Sequence, residues 1–310
     1  MSRLTGRPAI TRHQRPFVIL NPVAGRGRVL RVWPTIRPLL RADGLDWEEV
    51  VAERPMHAWA LAQEAAARGH DPIISVGGDG TTHEVVNGIL RGRPEHPPAL
   101  GVVPLGTAND FARAIAMPHD PRAIAEVVLR GTVRRIDLGR VNDRYFVTIS
   151  GVGFDAEVAA LVNRWPRWVR GSSLYLAGIL KTLGTFRPVE AHLTIDGSEQ
   201  TQRILLLAAG NSSWYGGGMY MCPHARIDDG ELAIVFAKDL TTLETLMVLP
   251  RVFSGTHLSH PKVVHMNARH VQVTSATPIA IHADGESVGQ VPATFQIVPS
   301  ALEVLVPPAR

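Results

Sequence analysis

The stretch that most constrains this chain is Ile73-Ile74-Ser75-Val76-Gly77-Gly78-Asp79-Gly80-Thr81-Thr82-His83-Glu84-Val85-Val86-Asn87-Gly88. Its short apolar, β-branched opening reads as a buried strand. Three glycines around an acid follow, and glycine accepts positive φ and close backbone approach. Val85, Val86, Ile89 and Leu90 then recur at helical spacing. A strand, a glycine turn and a helix start together present backbone N–H groups to a phosphate. Asp79 sits inside that turn. A carboxylate beside phosphates needs a cation between them, which suggests Mg²⁺. A plain strand-to-helix connection is the simpler alternative, and the density of glycines around Asp79 disfavours it.

Two more strand-to-loop junctions precede and follow. Phe17-Val18-Ile19-Leu20 runs into Asn21-Pro22-Val23-Ala24-Gly25-Arg26-Gly27-Arg28, and Leu100 to Pro104 runs into Leu105-Gly106-Thr107-Ala108-Asn109-Asp110-Phe111. Open α/β sheets bind ligands at such carboxyl ends. No Gly-Lys-Ser/Thr follows, so neither is a Walker A loop. Pro34 and Pro38 obscure the start of the first helix, and Gly44 marks its stop. Trp47 to Val51 reads as a strand and Ala58 to Arg68 as a helix. Asp120-Pro121 is an N-cap and N1 pair opening a helix that closes at Gly131. Strands alternating with helices predict a doubly wound, mostly parallel α/β sheet over residues 16–135. Residues 1–15 are polar, basic and aperiodic, and are expected to be a disordered lead-in.

From residue 136 to 310 the pattern turns to short strands. They are expected at Ile136 to Gly139, Tyr145 to Ile149, Ala191 to Ile195, Arg203 to Ala208, Leu232 to Phe236, Val271 to Thr274, Ile279 to His282, Phe295 to Val298 and Leu302 to Val306. Asp196-Gly197 suggests a hairpin. Helices are expected at Leu174 to Leu183 and Thr242 to Leu249. This half reads as a mainly antiparallel β domain, its last strand a candidate to return to the first domain. A cleft between two unlike domains is where a nucleotide is expected.

Composition narrows the class further. A chain of 310 residues, 45% hydrophobic and 19% charged, fits two domains better than one. A net charge of +4 does not by itself suggest nucleic acid. A single cysteine, Cys222, allows no intrachain disulfide and fits a reducing compartment. Arg3, Arg7, Arg12 and Arg15 interrupt any signal-peptide core, and no apolar run spans a bilayer. The expectation is a cytoplasmic protein that meets membranes transiently. A homodimer stays open.

Seven segments in order carry a family resemblance. They are Asn21-Pro22-Val23-Ala24-Gly25, Gly77-Gly78-Asp79-Gly80-Thr81, His83-Glu84-Val85-Val86-Asn87-Gly88, Pro104-Leu105-Gly106-Thr107-Ala108-Asn109-Asp110-Phe111, Gly151-Val152-Gly153-Phe154-Asp155-Ala156, Asp228-Asp229-Gly230 and Asp284-Gly285-Glu286. Together they resemble the diacylglycerol kinase catalytic family, in its bacterial soluble lipid kinase form related to the sphingosine and ceramide kinases. The Gly-Gly-Asp-Gly-Thr core alone is shared with NAD kinases and phosphofructokinases.

The resemblance implies a fold, a reaction and a set of residues. ATP would be bound by Asn21, Gly77, Gly78, Asp79, Gly80, Thr81, Thr82, His83, Glu84, Thr107 and Asn109. Asp79, Asp110 and Asp137 would stand near a catalytic Mg²⁺, partly through water. Asp229, with the main-chain carbonyls of Arg226 and Glu231, would hold a second, structural Mg²⁺. Asp284 would be the general base, with Glu286 orienting it or helping with substrate. The bland readings are an N-cap for Asp110, a strand-end acid for Asp137, helix capping for Glu84 and Asn87, and simple turns at Asp229 and Asp284. Val51 replaces a threonine that some relatives place near the adenine. Arg26, Arg28 and Arg113 could pair with phosphates or be solvated surface.

The implied acceptor is a lipid hydroxyl, of diacylglycerol, phosphatidylglycerol or a related lipid, reached at a membrane surface. Asn163-Arg164-Trp165-Pro166-Arg167-Trp168-Val169-Arg170 interleaves tryptophan with arginine, which suits a membrane interface. Trp214 to Met219 could line an acyl passage or form a packed bulge. A soluble-alcohol or NAD kinase, and a non-catalytic nucleotide- or lipid-binding regulator, are the alternatives. Zinc and a Ser-His-Asp hydrolase are disfavoured by the absence of clustered ligands and of a Gly-x-Ser-x-Gly elbow.

Overall fold

The computed structural model describes residues 5–8, 15–91, 95–164 and 172–308. The chain divides into two compact units, Met1–Ile136 with Ser300–Arg310, and Asp137–Pro299.

The first unit runs β1 (Thr5–Pro8), β2 (Phe17–Leu20), α1 (Arg28–Ala42), β3 (Glu48–Val51), α2 (His57–Ala67), β4 (Ile73–Gly77), α3 (Asp79–Ile89), β5 (Leu100–Pro104), α4 (Asp110–Ala114), α5 (Pro121–Arg130) and the start of β6 (Thr132–Val141). Strands β5-β4-β2-β3 are neighbours in that order, and all three pairings are parallel. Every residue of β2, β4 and β5 is buried. A parallel strand covered on both faces must read as a continuous apolar run, which is why these three were visible in the sequence. Register puts Leu20 beside Val76 and Val51, and Gly77 beside Pro104. The carboxyl ends of all four strands therefore lie along one edge.

Two helices differ instructively from expectation. Pro34 and Pro38 both lie inside α1. Each removes a backbone donor, yet the helix persists because Val29, Trp33, Ile36 and Leu40 bury one stripe. Asp120 caps α5 as its sequence suggests, its carboxylate accepting the Ala123 N–H. A correction concerns residues 1–15. Thr5–Pro8 is a strand, pairing antiparallel with β6, so the segment is not wholly a structureless lead-in.

The second unit contains β7 (Arg144–Phe146), β8 (Ile149–Gly153), α6 (Phe154–Arg164), α7 (Ser172–Thr185), β9 (Val189–Ile195), β10 (Ser198–Gly210), β11 (Leu232–Lys238), α8 (Thr242–Val252), β12 (Val263–Ala268), β13 (His270–Thr274), β14 (Ala280–Ala283) and β15 (Glu286–Gln290). Strand β16 (Ala293–Val306) starts here and finishes in the first unit, where Val304 pairs parallel with Leu100. The pairings within the second unit are antiparallel: β10 joins β8, β9 and β11; β12 joins β11; β13 joins β9 and β16; β14 joins β8 and β15.

Strand β11 explains how this unit builds two cores. Leu232, Ile234 and Phe236 face a β-only cluster with Phe146, Leu207 and Phe295. Ala233, Val235 and Ala237 face the opposite way, into a cluster with Phe154, Val158, Ile179 and Val248 from α6, α7 and α8. Period-2 alternation serves both faces, so the strand is apolar from Leu232 to Ala237. Phe295–Val298 and Leu302–Val306, expected as two strands, are one. Ser300 bends it at φ 50°; the buried positions before the bend are Ala293, Phe295 and Ile297, and those after it are Leu302, Val304, Leu305 and Val306.

Candidate functional site

In the first unit, three loops meet at the carboxyl edge of the sheet. They are so close that side chains would not fit. A Cβ on Gly77 would lie 2.3 Å from Thr81 Oγ1, and one on Gly106 would lie 2.3 Å from the Gly78 Cα. The Leu105 N–H donates to the Gly77 carbonyl at 2.8 Å. Asn21 Nδ2 donates to Thr81 Oγ1 at 2.9 Å. Thr81 Oγ1 therefore accepts from Asn21, leaving its own proton to point elsewhere. The first intrahelical bond of α3 is Thr82 N–H to Gly78 O, so the helix opens with its first-turn amides aimed out of the N-terminus. Amides, the positive end of the helix dipole and a directed hydroxyl together form a cradle for phosphate.

The acids of this unit cluster at the same edge. Asp79 Oδ1 accepts the Phe111 N–H at 3.1 Å, placing its carboxylate at the start of α4. Asp110 is 3% exposed and pairs with Arg113 at 2.6 Å. Mg²⁺ takes one or two carboxylates and keeps water and phosphate oxygens for the rest. That donor set fits Asp79 and Asp110. Among the described residues no three His, Cys, Asp or Glu side chains converge on a site of their own.

Four of the nucleotide candidates are placed differently from what was expected. Asn109 is turned inward. Its Oδ1 accepts the Gly106 N–H at 2.9 Å, and its Nδ2 donates to the carbonyls of Gly106 and Pro104. It shapes the loop, whereas Thr107 is exposed on it. Both Glu84 oxygens accept backbone amides at the start of α2, from Met56 and Ala58 at 3.1 Å, which is the capping role. Thr82 faces the sheet, its hydroxyl 3.3 Å from Ser75 Oγ, and His83 is buried. Asn87 donates to the His83 carbonyl. Val51 is 42% exposed at the end of β3.

In the second unit the turn between β14 and β15 carries Asp284 at φ 51°, a region non-glycine residues seldom adopt. Its carboxylate accepts hydrogen bonds from Val147 N–H at 3.0 Å, Thr148 N–H at 2.8 Å and the Thr148 hydroxyl at 2.6 Å. A carboxylate has about four acceptor positions, so these donors fix its orientation. Glu286 begins β15 and is exposed. Asn211, fully buried, ties the strands behind this turn by donating to the carbonyls of Asp137 and Val147.

Asp137 belongs to another cluster. Its Oδ2 accepts the Gly230 N–H at 2.7 Å, and its N–H donates to the Ile227 carbonyl. It is thereby part of the 226–231 turn. Burial pushes the Asp229 carboxyl up, and the neighbouring charges of Glu231 and Asp137 add to this. Arg226 opposes the shift and pairs with Asp228 at 3.7 Å. Asp137, Asp228, Asp229 and Glu231 thus lie on or against one turn, although no three of them converge as a metal-ligating group.

The second unit also contains a pocket that is partly open to solvent. Its wall is apolar: Val158, Ile179, Leu206, Met219, Met221, Val235, Val248 and others. Tyr215 and Met219 bracket three positive-φ glycines and exchange backbone hydrogen bonds, so Trp214 to Met219 is a tight hairpin whose Tyr215 and Met219 line this space. Asp155, Tyr215 and His257 are its buried ionisable groups. Burial pushes the His257 imidazole down, and Nε2 lies 3.0 Å from the Met221 carbonyl. The tryptophan-arginine stretch at 165–170 lies outside the described residues.

Sequence reasoning passed over four residues of this unit: Thr148, Asp155, Asn211 and His282. Asp155 stood within a quoted motif without a role. The others carried no local signal, because their partners are distant in sequence.

Two family models match successive parts of the chain. Residues 15–141 match the diacylglycerol kinase catalytic domain, and residues 148–306 match the YegS C-terminal NAD kinase beta sandwich-like domain. A diacylglycerol kinase of Mycobacterium tuberculosis (strain ATCC 25618 / H37Rv) is 34% identical over 307 residues, covering 96% of this chain and 97% of that protein. One from Staphylococcus carnosus (strain TM300) is 29% identical, with 95% of each chain covered. A solved structure from Bacillus anthracis str. Sterne superposes with a TM-score of 0.78 at 24% identity, covering 96% of this chain and 98% of that one; this last likeness speaks for the fold. With its acids and glycine loops in family order, the chain belongs to the diacylglycerol kinase family and is a kinase.

Proposed function

We propose that this kinase transfers the γ-phosphate of ATP, with Mg²⁺, to a hydroxyl of diacylglycerol, phosphatidylglycerol or a related lipid. The observation that carries the lipid side is the apolar space of the second unit, whose wall suits an acyl chain far better than a sugar or a dinucleotide.

Each residue then has a chemical task. The amides at the start of α3 and the Thr81 hydroxyl bind phosphate oxygens. Asp79 and Asp110 would hold the catalytic Mg²⁺, which neutralises charge on the phosphates when bound. Arg26, on the first loop, and Arg28, at the start of α1, carry positive charge to the same edge. Asp284 accepts the proton of the attacking hydroxyl. Asp229, with carbonyls of Arg226 and Glu231, would hold a structural Mg²⁺, and Asp137 braces that turn through Gly230.

The lipid would be met at a membrane surface, by a peripheral and cytoplasmic protein. Among the described residues no helix is long and apolar enough to cross a membrane. Helix α8 supports surface contact instead. Val248 and Val252 are buried on one side, while Leu243, Leu246 and Met247, with Phe253 just beyond the end, are exposed on the other. An exposed apolar stripe is a contact surface.

The test is transfer of labelled γ-phosphate from ATP, with Mg²⁺, to a lipid panel in mixed micelles. Wild type should label a lipid, and Asp284→Asn should label none. Label appearing only on a soluble alcohol would overturn the lipid assignment.

A further inference from the structure

Behind the Asp284 turn lies a buried pair that phosphoryl transfer as described does not use. His282 Nε2 is 3.0 Å from Asp155 Oδ2, with the two side chains 1% and 2% exposed. The other ring nitrogen, Nδ1, is 3.3 Å from the Gly285 N–H. A backbone N–H can only donate, so Nδ1 must be the acceptor. The proton of the neutral ring therefore sits on Nε2 and is given to Asp155. Asp155 is in turn anchored by the Ala156 N–H at 2.9 Å.

The surroundings are shaped for this pair. A Cβ on Gly151 would lie 2.5 Å from Asp155 Oδ2 and 3.2 Å from His282 Nε2, so only glycine leaves room. The Tyr215 ring lies nearly parallel to the imidazole, 13° between planes. The Ser150 hydroxyl donates to the His282 carbonyl. One residue of backbone separates this assembly from Asp284, which is held at positive φ.

We infer that Asp155 and His282 form a positioning couple that fixes the tautomer of His282, and through the Gly285 N–H fixes the turn that presents Asp284. Asp155 selects the Nε2–H form. That form alone leaves Nδ1 free to accept from Gly285. The Nδ1–H form would set two N–H groups against each other and push the turn out of shape. Because Asp155 also lines the apolar space, a lipid seated there adjoins the residue that orients the base. The inference rests on Asp284 as base.

Two substitutions separate the ring's two bonds. Asn at 282 places an oxygen near the Nδ1 position and can accept from Gly285. Gln places its amide near Nε2 and can donate to Asp155 only. His282→Asn should retain most turnover, whereas His282→Gln should lower kcat on the order of 10- to 100-fold with KM for ATP unchanged. Asp155→Asn should lower kcat similarly. Imidazole ¹⁵N shifts give the readout that a merely structural role would not move: Nε2–H in the wild type, shifting toward Nδ1–H in Asp155→Asn. A wild-type ring protonated on Nδ1, or equal turnover in the Asn and Gln variants, would overturn the couple. Wild-type turnover in Asp284→Asn would instead remove the base reading, and the ¹⁵N shifts would still decide whether the couple sets the tautomer.

Discussion

The Thr148 hydroxyl donates to Asp284 Oδ1 at 2.6 Å, and the Thr148 backbone N–H reaches the same oxygen at 2.8 Å. One residue thus supplies two donors that aim the carboxylate. Thr148→Val keeps the β-branched shape and the backbone donor and removes only the hydroxyl. A hydrogen bond to a charged group contributes about 1.5–3 kcal/mol, so kcat should fall about tenfold or more. KM for ATP should stay constant, because Thr148 and Asp284 belong to the second unit. Steady-state kinetics on the variant decide this.

Gly106 and Gly78 touch backbone to backbone. Gly106→Ala forces a methyl to within 2.3 Å of the Gly78 Cα and 2.8 Å of Asn109 Oδ1. Neither neighbour is a flexible chain end. Overpacking of this kind costs on the order of 1–3 kcal/mol, and the midpoint of urea unfolding should drop accordingly. ATP binding, followed by calorimetry below that midpoint, should weaken as the phosphate cradle opens.

Helix α8 carries a capping box in which Thr241 and Glu244 bond each other's backbone, and Lys262 Nζ pairs with Glu244 at 2.8 Å. The Lys262 ammonium, the Thr241 N–H and the Thr241 hydroxyl pull the Glu244 carboxyl down to about 2. A carboxylate held low stabilises the fold above its ordinary range and stops doing so as the pH falls through its folded value. Protection of α8 amides against hydrogen exchange should therefore decline as the pH drops from about 4.5 toward about 2. Glu244→Gln should flatten that decline.

The outer side of α8 makes a separate prediction. Leu243, Met247 and Phe253 are 67%, 54% and 54% exposed, so polar replacements there should leave folding intact. Leu243→Ser, Met247→Ser and Phe253→Ser combined should weaken flotation with anionic lipid vesicles. Turnover of a short-chain, dispersed diacylglycerol should be unchanged. Unaltered flotation would remove α8 as the contact surface.

What the sequence revealed, and what it hid, follows from range. Strands β2, β4 and β5 were readable because both faces are buried and the whole run is apolar. The glycine loops were readable because backbone contact leaves only one residue type that fits. Helix α6 went unread, since Gly151 to Ala156 drew attention as a motif while Phe154, Val158 and Val162 carried the helical spacing. Strand β15 is largely exposed and has no apolar face to betray it. Asn109 looked like a ligand residue, and its three loop bonds emerge only in three dimensions. His282 and Asp155 stand 127 positions apart, a distance over which no local pattern speaks. Asp137, grouped with Asp79 and Asp110 by family likeness, is bonded to Gly230 and so to the turn around Asp229.

Strand β16 ends in the first unit, where Val304 pairs with Leu100 and Leu305 packs on Val133. A ribosome emits the chain in one direction. The nucleotide-type unit therefore emerges with one side of β5 still waiting for its partner, and stays that way while the whole second unit is synthesised. Its completion is timed by residues 300–306, which follow the second unit. A premature stop after residue 299 would thus leave its mark on a unit whose other residues were made long before the lesion.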